Sequence, residues 1–159
     1  ALRTLEYRYR QGGLAGRRER VVTFDRAAGI VRRSGDKERQ HPLVEPAWDP
    51  LGWQLALRRE LIRDHPDLAG RYRYRVSDGG SYEDYSFTPG VRETITVPAG
   101  TFEALRLTRA PVPAGEEATR LWLDPARNYL LLRMELVDED GRQLSVALAA
   151  PPAPAADAP

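Results

Sequence analysis

The sequence predicts a mainly β protein: one large antiparallel meander sheet, curved as an open or partly closed barrel, with one helix (about residues 50–64) packed on its concave face. Three observations support this. Apolar and polar residues alternate in about nine short segments, turn residues separate the segments, and one stretch has helical spacing. One helix cannot cover a flat sheet of this width, so we expect curvature. A two-sheet sandwich is the alternative.

The first three strands are predicted before residue 34. In Leu5-Glu6-Tyr7-Arg8-Tyr9-Arg10, large apolar residues alternate with charged ones, which is typical of a strand with one face in water. Segments 17–24 and 30–33 follow, separated by a turn-forming stretch. Residues 34–48 are polar and then interrupted by Pro42 and Pro46, which predicts a connecting loop.

One helix is predicted next. Asp49 is a suitable N-cap, Pro50 suits the first helical position, and His65-Pro66 ends the pattern. Apolar residues occupy a wide sector of this helix, so we expect it to be well buried. They are Leu51, Trp53, Leu55, Leu57, Leu61 and Ile62.

The remaining strands follow in the second half of the chain. Residues 71–76 alternate Arg with Tyr or Val, and Ser77-Asp78-Gly79-Gly80 predicts a hairpin turn before a strand over 81–87. Two strands flank residues 98–100, and three more lie near 121–123, 130–136 and 144–148. Phe102 falls out of phase with Leu105 and Leu107, which predicts either a bulge near Glu103-Ala104 or a Phe102 that belongs to the turn.

Composition and length limit the classes of function. Residues 1–149 are predicted to form one domain, and the Pro- and Ala-rich residues 150–159 a disordered tail. A net charge of +1 argues against a nucleic-acid partner. The absence of cysteine excludes disulfides and thiolate chemistry, and no apolar run is long enough to span a bilayer. Because the chain begins at Ala1, we expect that a signal peptide has been removed.

Candidate catalytic residues are few. His41 and His65 each precede a proline and lack metal-ligand spacing, and no serine lies in a Gly-x-Ser-x-Gly motif. The carboxylate clusters Glu83-Asp84, Glu116-Glu117 and Asp138-Glu139-Asp140 are expected on opposite strand faces or in solvated turns. We therefore predict no catalytic residue, no metal and no cofactor.

Aromatic residues are the candidate ligand contacts. They either line a cleft between helix and sheet or fill the core. The Tyr–Arg alternation in residues 7–10 and 72–75 does not predict a nucleic-acid platform, because neighbouring side chains in a strand point to opposite faces. The predicted ligand-binding residues are Trp48, Trp53, Tyr82, Tyr85 and Trp122.

Three runs of the second half carry a resemblance to a known family. Residues 93–107, 119–125 and 128–135, with the helix start at Asp49 and the hairpin over 71–87, resemble the exported bacterial proteins of domain of unknown function 3108. The resemblance implies a secreted or periplasmic meander protein, loosely similar in shape to half-barrels that carry lipoproteins, with no established activity. Physically, the 97–101 run suits a tight reversal, and Asn128 suits a left-handed position.

These observations together predict a function class. We expect a non-enzymatic protein of the periplasm or outer-membrane periphery that binds an apolar or amphipathic ligand, a lipid or lipid-linked glycan, between helix and sheet. The alternative is a structural or protein-interaction module that docks an envelope protein. A carboxylate-based hydrolase is a third hypothesis. It requires a convergent polar cluster in a cleft, and burial of Glu83 or Asp84 would be its first support.

Overall fold

The computed structural model describes residues 2–13, 16, 18–68, 70–109, 118–137 and 140–151. Within these ranges the chain forms two antiparallel sheets and one α-helix, with no closed barrel, which confirms the mainly β class. The helix is α1 (Gly52–Asp64), and a short 3₁₀-helix covers Pro125–Arg127. The strands are β1 (Glu6–Gln11), β2 (Arg18–Asp25), β3 (Ile30–Gly35), β4 (Arg39–Pro42), β5 (Tyr72–Ser77), β6 (Tyr82–Val97), β7 (Gly100–Arg109), β8 (Ala118–Asp124), β9 (Leu130–Val137) and β10 (Gln143–Ala147).

Both sheets are meanders, in which each strand lies beside its neighbours in the sequence. The chain divides into two compact units. The first unit comprises Ala1–Glu60 and Tyr72–Tyr85, and the second comprises Leu61–Arg71 and Ser86–Pro159. The single domain over residues 1–149 and the tail over 150–159 stay predictions, and residues 152–159 lie outside the described ranges.

The first unit contains the four-stranded sheet β1 to β4. Its apolar core is formed by Val22, Phe24, Val31 and Ala47. The prediction of a loop over residues 34–48 was wrong, because Arg39–Pro42 pairs with β3 as a fourth strand. Residues 39–42 do not show the pattern of a strand, because they are polar and end in a proline. An edge strand tolerates such a proline.

Helix α1 starts and ends as predicted. The Asp49 carboxylate accepts hydrogen bonds from the backbone N–H of Leu51 and Gly52, each at 2.9 Å, and so caps the helix. The expected broad burial was wrong. Trp53, Ala56, Leu57 and Leu61 are buried, but the other three large apolar side chains are at least 45% exposed: Leu51, Leu55 and Ile62. The small Ala56 belongs to the buried stripe, which apolar spacing among large residues did not reveal.

Strand β6 is longer than predicted. Residues 82–97 form one strand, whereas two were expected on either side of Pro89. The pairing of β6 with β7 shifts between Pro89 and Arg92, so the irregularity lies there and not near Glu103-Ala104 as predicted. Strand β5 is shorter than β6, with 6 residues against 16, so part of β6 lacks a β5 partner and the missing N–H of Pro89 can be tolerated.

Phe102 neither follows a bulge near Glu103-Ala104 nor belongs to the turn, the two explanations that were expected for its position out of phase with Leu105 and Leu107. Phe102 lies within β7, paired with Ile95, and packs against a core of Ile95, Val97, Ala104, Trp122 and Leu132. On the opposite phase, Leu105 and Leu107 are also buried. Strand β7 is therefore apolar on both faces and needs no bulge.

Candidate functional site

The first sheet carries a cavity of about 350 Å³ on its inner face. We call it the arginine cleft. Pro50, just before helix α1, closes one side of it. Strands β1 and β2 and the residue after β3 supply the remaining walls: Tyr7, Tyr9, Gln11, Arg18, Glu19, Arg20 and Asp36.

Strand register explains why these residues meet. Tyr9 pairs with Arg20 and Gln11 pairs with Arg18, so these side chains share one face of the sheet. The same face continues through Tyr7 and its partner Val22 into the apolar core. One face of the sheet is therefore apolar at one end of the strands and charged at the other.

A network of charges holds the polar end. The buried Arg33 guanidinium donates to both carboxylate oxygens of Asp36, at 2.8 and 2.9 Å, and its Nη1 lies 3.6 Å from Asp78. Arg20 donates to Asp78 at 2.7 Å and lies 3.7 Å from Asp36. The hydrogen bond from Arg33 lowers the pKa of Asp36, so this carboxylate is ionised at neutral pH.

The cleft keeps positive charge that this network does not neutralise. Arg18 lines the cleft and is exposed, and it forms no hydrogen bond or ion pair with the described residues. The Arg20 guanidinium lies 5.9 Å from the centre of the Tyr9 ring, within the range of a cation–π interaction. Burial raises the pKa of Tyr7, so its hydroxyl is a neutral donor and acceptor at physiological pH.

The hairpin turn after β5 packs directly on this network. Gly79 has a φ of +85°, and a Cβ atom there would lie 2.6 Å from Cβ of Arg33. Only glycine fits both the conformation and the contact. The Asp78 side chain accepts a hydrogen bond from the Gly80 N–H at 2.9 Å, which orients the turn that presents Asp78 to the arginines.

A family model described as a protein of unknown function, DUF3108, matches residues 1–147 of the chain. The chain belongs to this family. The match confirms the resemblance and extends it over the first three strands, where the sequence motifs were not diagnostic. No curated protein and no solved structure matches the chain.

Two of the three runs that resemble DUF3108 proteins, 93–107 and 119–125, line a cavity of about 260 Å³ in the second unit. Asp124 caps the 3₁₀-helix through the Ala126 N–H at 2.9 Å and pairs with Arg127 at 2.6 Å. Gly100 and Asn128 have positive φ, 133° and 52°, as predicted, and so does Tyr129, which was not predicted. These contacts assign the motif residues Asp124, Gly100 and Asn128 a role in shaping turns.

The predicted aromatic ligand contacts are distributed over different surroundings. Trp53 packs edge-on against Tyr85, with the two ring centres 5.5 Å apart. Its indole N–H donates a hydrogen bond to the Pro50 carbonyl at 2.9 Å. The Tyr82 hydroxyl accepts from the Val44 N–H at 2.9 Å, and Trp48 forms a backbone bridge to β5. None of these residues lines the arginine cleft.

Trp122 belongs to the core of the second unit and is 4% exposed. Its indole N–H donates to Glu93 at 2.7 Å, and the Arg133 guanidinium lies 4.0 Å from the ring centre. These contacts explain the residue without a ligand. A ligand-binding role for the five aromatic residues stays a prediction.

The alternation in β2 already indicated the cleft, although the prediction of ligand contacts relied on aromatic residues. In β2, Arg18 and Arg20 have the same phase as Val22 and Phe24, so alternation alone places them on the core-facing side. Within a single strand, neighbouring Tyr and Arg side chains point to opposite faces. Across strands, the register sets Tyr9 beside Arg20 on one face, a combination that was not foreseen.

Several candidate catalytic groups have clear structural surroundings. His41 Nε2 lies 2.9 Å from Ser77 Oγ, but Ser77 is only 1% exposed and its Oγ accepts the Gly79 N–H. Glu83 and Asp84 are exposed, so the burial that would have been the first support for a hydrolase is absent at these two residues. Glu116-Glu117 and Asp138-Glu139 lie outside the described residues.

Among the described residues, no group of three or more His, Asp or Glu side chains could hold a metal ion. In the same part of the chain, no helix is long and apolar enough to cross a membrane.

Proposed function

We propose that the protein is a non-enzymatic binding protein of the cell envelope that holds the head group of an anionic amphipathic ligand, a lipid or lipid-linked glycan, in the arginine cleft. One observation carries the proposal. Arg18 pairs with none of the described residues, whereas the other arginine of the cleft, Arg20, is engaged by carboxylates and a tyrosine ring. An exposed guanidinium beside aromatic surface suits a phosphate or an acidic sugar.

The remaining walls of the cleft suit the same ligand. Tyr7 and Tyr9 offer ring surface for a sugar or a glycerol backbone, and Gln11 and Asp36 offer hydrogen-bonding groups for hydroxyls. A volume of about 350 Å³ holds a head group and not a whole lipid. Pro50, which lines the cleft, lies just before helix α1. The periplasm or outer-membrane periphery is the location proposed with this function.

The test compares two arginines on neighbouring strands. Short-chain phosphatidylglycerol is titrated into the wild type, Arg18→Gln and Arg32→Gln, with binding followed by calorimetry. Arg32 is exposed and lies on the opposite face of β3 from Arg33, so it is a matched control. We expect roughly tenfold weaker binding for Arg18→Gln, from one lost charge-assisted contact, and unchanged binding for Arg32→Gln.

Native mass spectrometry of protein isolated from a bacterial envelope provides a second readout. An added mass that is absent from Arg18→Gln would support the proposal. Equal titration curves for the two arginine variants, or no binding by the wild type, would reject it.

A protein-interaction module is the second candidate, and one feature of the second unit favours it. Strand β10 is the last strand of its sheet, pairs with β9, and is exposed at all 5 residues. Leu144 and Val146 are 58% and 51% exposed there. Such an edge can accept a strand from a partner. Crosslinking from a photoreactive residue at position 144 in native membranes would yield a reproducible protein adduct if this candidate holds.

A further inference from the structure

Four leucines of the first unit are exposed, two at or near the start of helix α1 and two within residues 2–5. Leu5, Leu51 and Leu55 are 62%, 61% and 57% exposed, and Leu2 is 42% exposed. We call these four residues the leucine rim. Exposed side chains of this size are ordinary when scattered, so their placement decides whether they matter.

Hydrogen bonds bring the two halves of the rim together. The Thr4 hydroxyl donates to the Asp49 carboxylate at 2.7 Å and accepts the Asp49 N–H at 3.3 Å. A Cβ atom on Gly52 would lie 3.0 Å from Thr4 Oγ1. The Thr4 side chain therefore contacts residues 49 and 52, so the backbone of Leu5, its sequence neighbour, lies near the turn that carries Leu51.

Helical spacing extends the rim. Leu55 lies one helical turn after Leu51, the residue just before α1, and Arg59 continues the same row. Arg59 and Arg3 are exposed and form no ion pair with the described residues, so one positive charge follows Leu55 on the helix and another lies between Leu2 and Leu5 in the sequence. Exposed leucines flanked by unpaired arginines are the chemistry that an anionic lipid surface recognises.

We propose that the leucine rim docks the protein on an anionic bilayer, with the leucines inserted among the acyl chains and Arg3 and Arg59 at the head groups. The proposal extends the proposed function, because Pro50 joins the rim to the arginine cleft and a docked protein would face its ligand in the membrane. Charge complementarity identifies the bilayer as the occupant.

The experiment measures partition onto phosphatidylcholine vesicles that contain phosphatidylglycerol, with vesicles of phosphatidylcholine alone for comparison. We expect the wild type to bind the anionic vesicles and Leu51→Ser/Leu55→Ser to bind about tenfold less. Leu144→Ser/Val146→Ser is the matched control, since it also removes two half-exposed apolar side chains. It should bind as the wild type does. Arg3→Gln/Arg59→Gln should lose about tenfold and abolish most of the salt dependence.

Failure of the wild type to bind anionic vesicles, or equal losses in the two serine double variants, would overturn the docking proposal. Circular dichroism melting of each variant establishes that it is folded. Titration with soluble short-chain phosphatidylglycerol separates this proposal from the proposed function. Soluble lipid bound without vesicle partition rejects docking alone, whereas vesicle partition without soluble lipid binding rejects the cleft alone.

Discussion

The two sheets use the inner faces of their strands differently. In the second sheet, β7 is buried on both phases, with Ala104 and Leu107 each fully buried. In the first sheet, the face that begins with Val22 ends with Arg18 and Arg20, and the buried Arg33 lies between two aspartates. A strand face that carries charged side chains buries less apolar surface than an apolar face does, but its charged groups can bind a polar ligand. We therefore expect core substitutions in the second sheet to cost more stability than substitutions at the charged end of the first sheet, where the proposed ligand binds.

The largest expected effect tests this difference in cost directly. Leu107→Ala removes a fully buried side chain from β7, and we expect a loss of about 3 kcal/mol in the free energy of unfolding. Tyr9→Ala removes a side chain that is 38% exposed at the cleft, and it should cost under about 1 kcal/mol. Urea denaturation measures both, and equal losses would contradict the comparison.

Gly79→Ala tests how closely the turn is fitted to the charged network. The new Cβ would meet Arg33 at 2.6 Å on a backbone with positive φ, so we expect a loss of about 2 kcal/mol. Gly12→Ala is the control, because nothing lies within 4 Å of a Cβ at that position. Thermal melting of the two variants would show similar midpoints if the turn were free to move away from Arg33.

Trp122→Phe tests whether the hydrogen bond from Trp122 to Glu93 adds to the stability of the second sheet, beyond the burial of the ring. The variant keeps an aromatic ring but loses the hydrogen bond to Glu93, and we expect a cost of about 1 kcal/mol. Trp48→Phe provides the comparison, since the indole of the half-buried Trp48 donates to none of the described residues. A smaller loss in Trp122→Phe than in Trp48→Phe would mean that the Glu93 contact contributes nothing.

The smallest effect is the pH dependence that Asp36 gives to the first sheet. Arg33 lowers the pKa of Asp36 below its ordinary value of 3.8, so the native state binds this proton less readily than the unfolded chain. The stabilisation is present above the ordinary pKa and is lost as the pH falls through the lowered one. Melting temperatures measured across this acidic range should fall further for the wild type than for Asp36→Asn. Parallel curves would show that the network adds no pH dependence.

Much of the fold could be predicted from the sequence, because the signals are local. The cap at Asp49, the end at His65-Pro66 and the positive φ of Gly100 each depend on neighbouring residues. Strand β4 was missed because its polar residues carry no alternation, and β6 was divided in two because Pro89 reads as a strand end. A proline is tolerated in a strand only where no neighbouring strand needs its missing N–H. The neighbouring strands come from distant parts of the sequence, so local patterns do not reveal them.

The candidate site could be predicted only in part. The five aromatic residues were chosen by type, and Trp122 and Trp53 turned out to have packing and hydrogen-bond partners within their own units. The arginine cleft depends on cross-strand register, which sets Tyr9 beside Arg20 and Gln11 beside Arg18. Pairing of this kind follows from turn geometry and packing, which single-strand periodicity does not contain.

The sequence by itself determined the mainly β class, the helix ends and the family, because alternation, capping and turn chemistry act over a few residues. Only the tertiary structure decided that Leu51 and Leu55 are exposed, that Tyr9 lies beside Arg20, and that Arg33 lies beside Val22. The burial of a helix or strand face depends on the residues that pack against it, and register depends on the paired strand. These partners come from other parts of the chain.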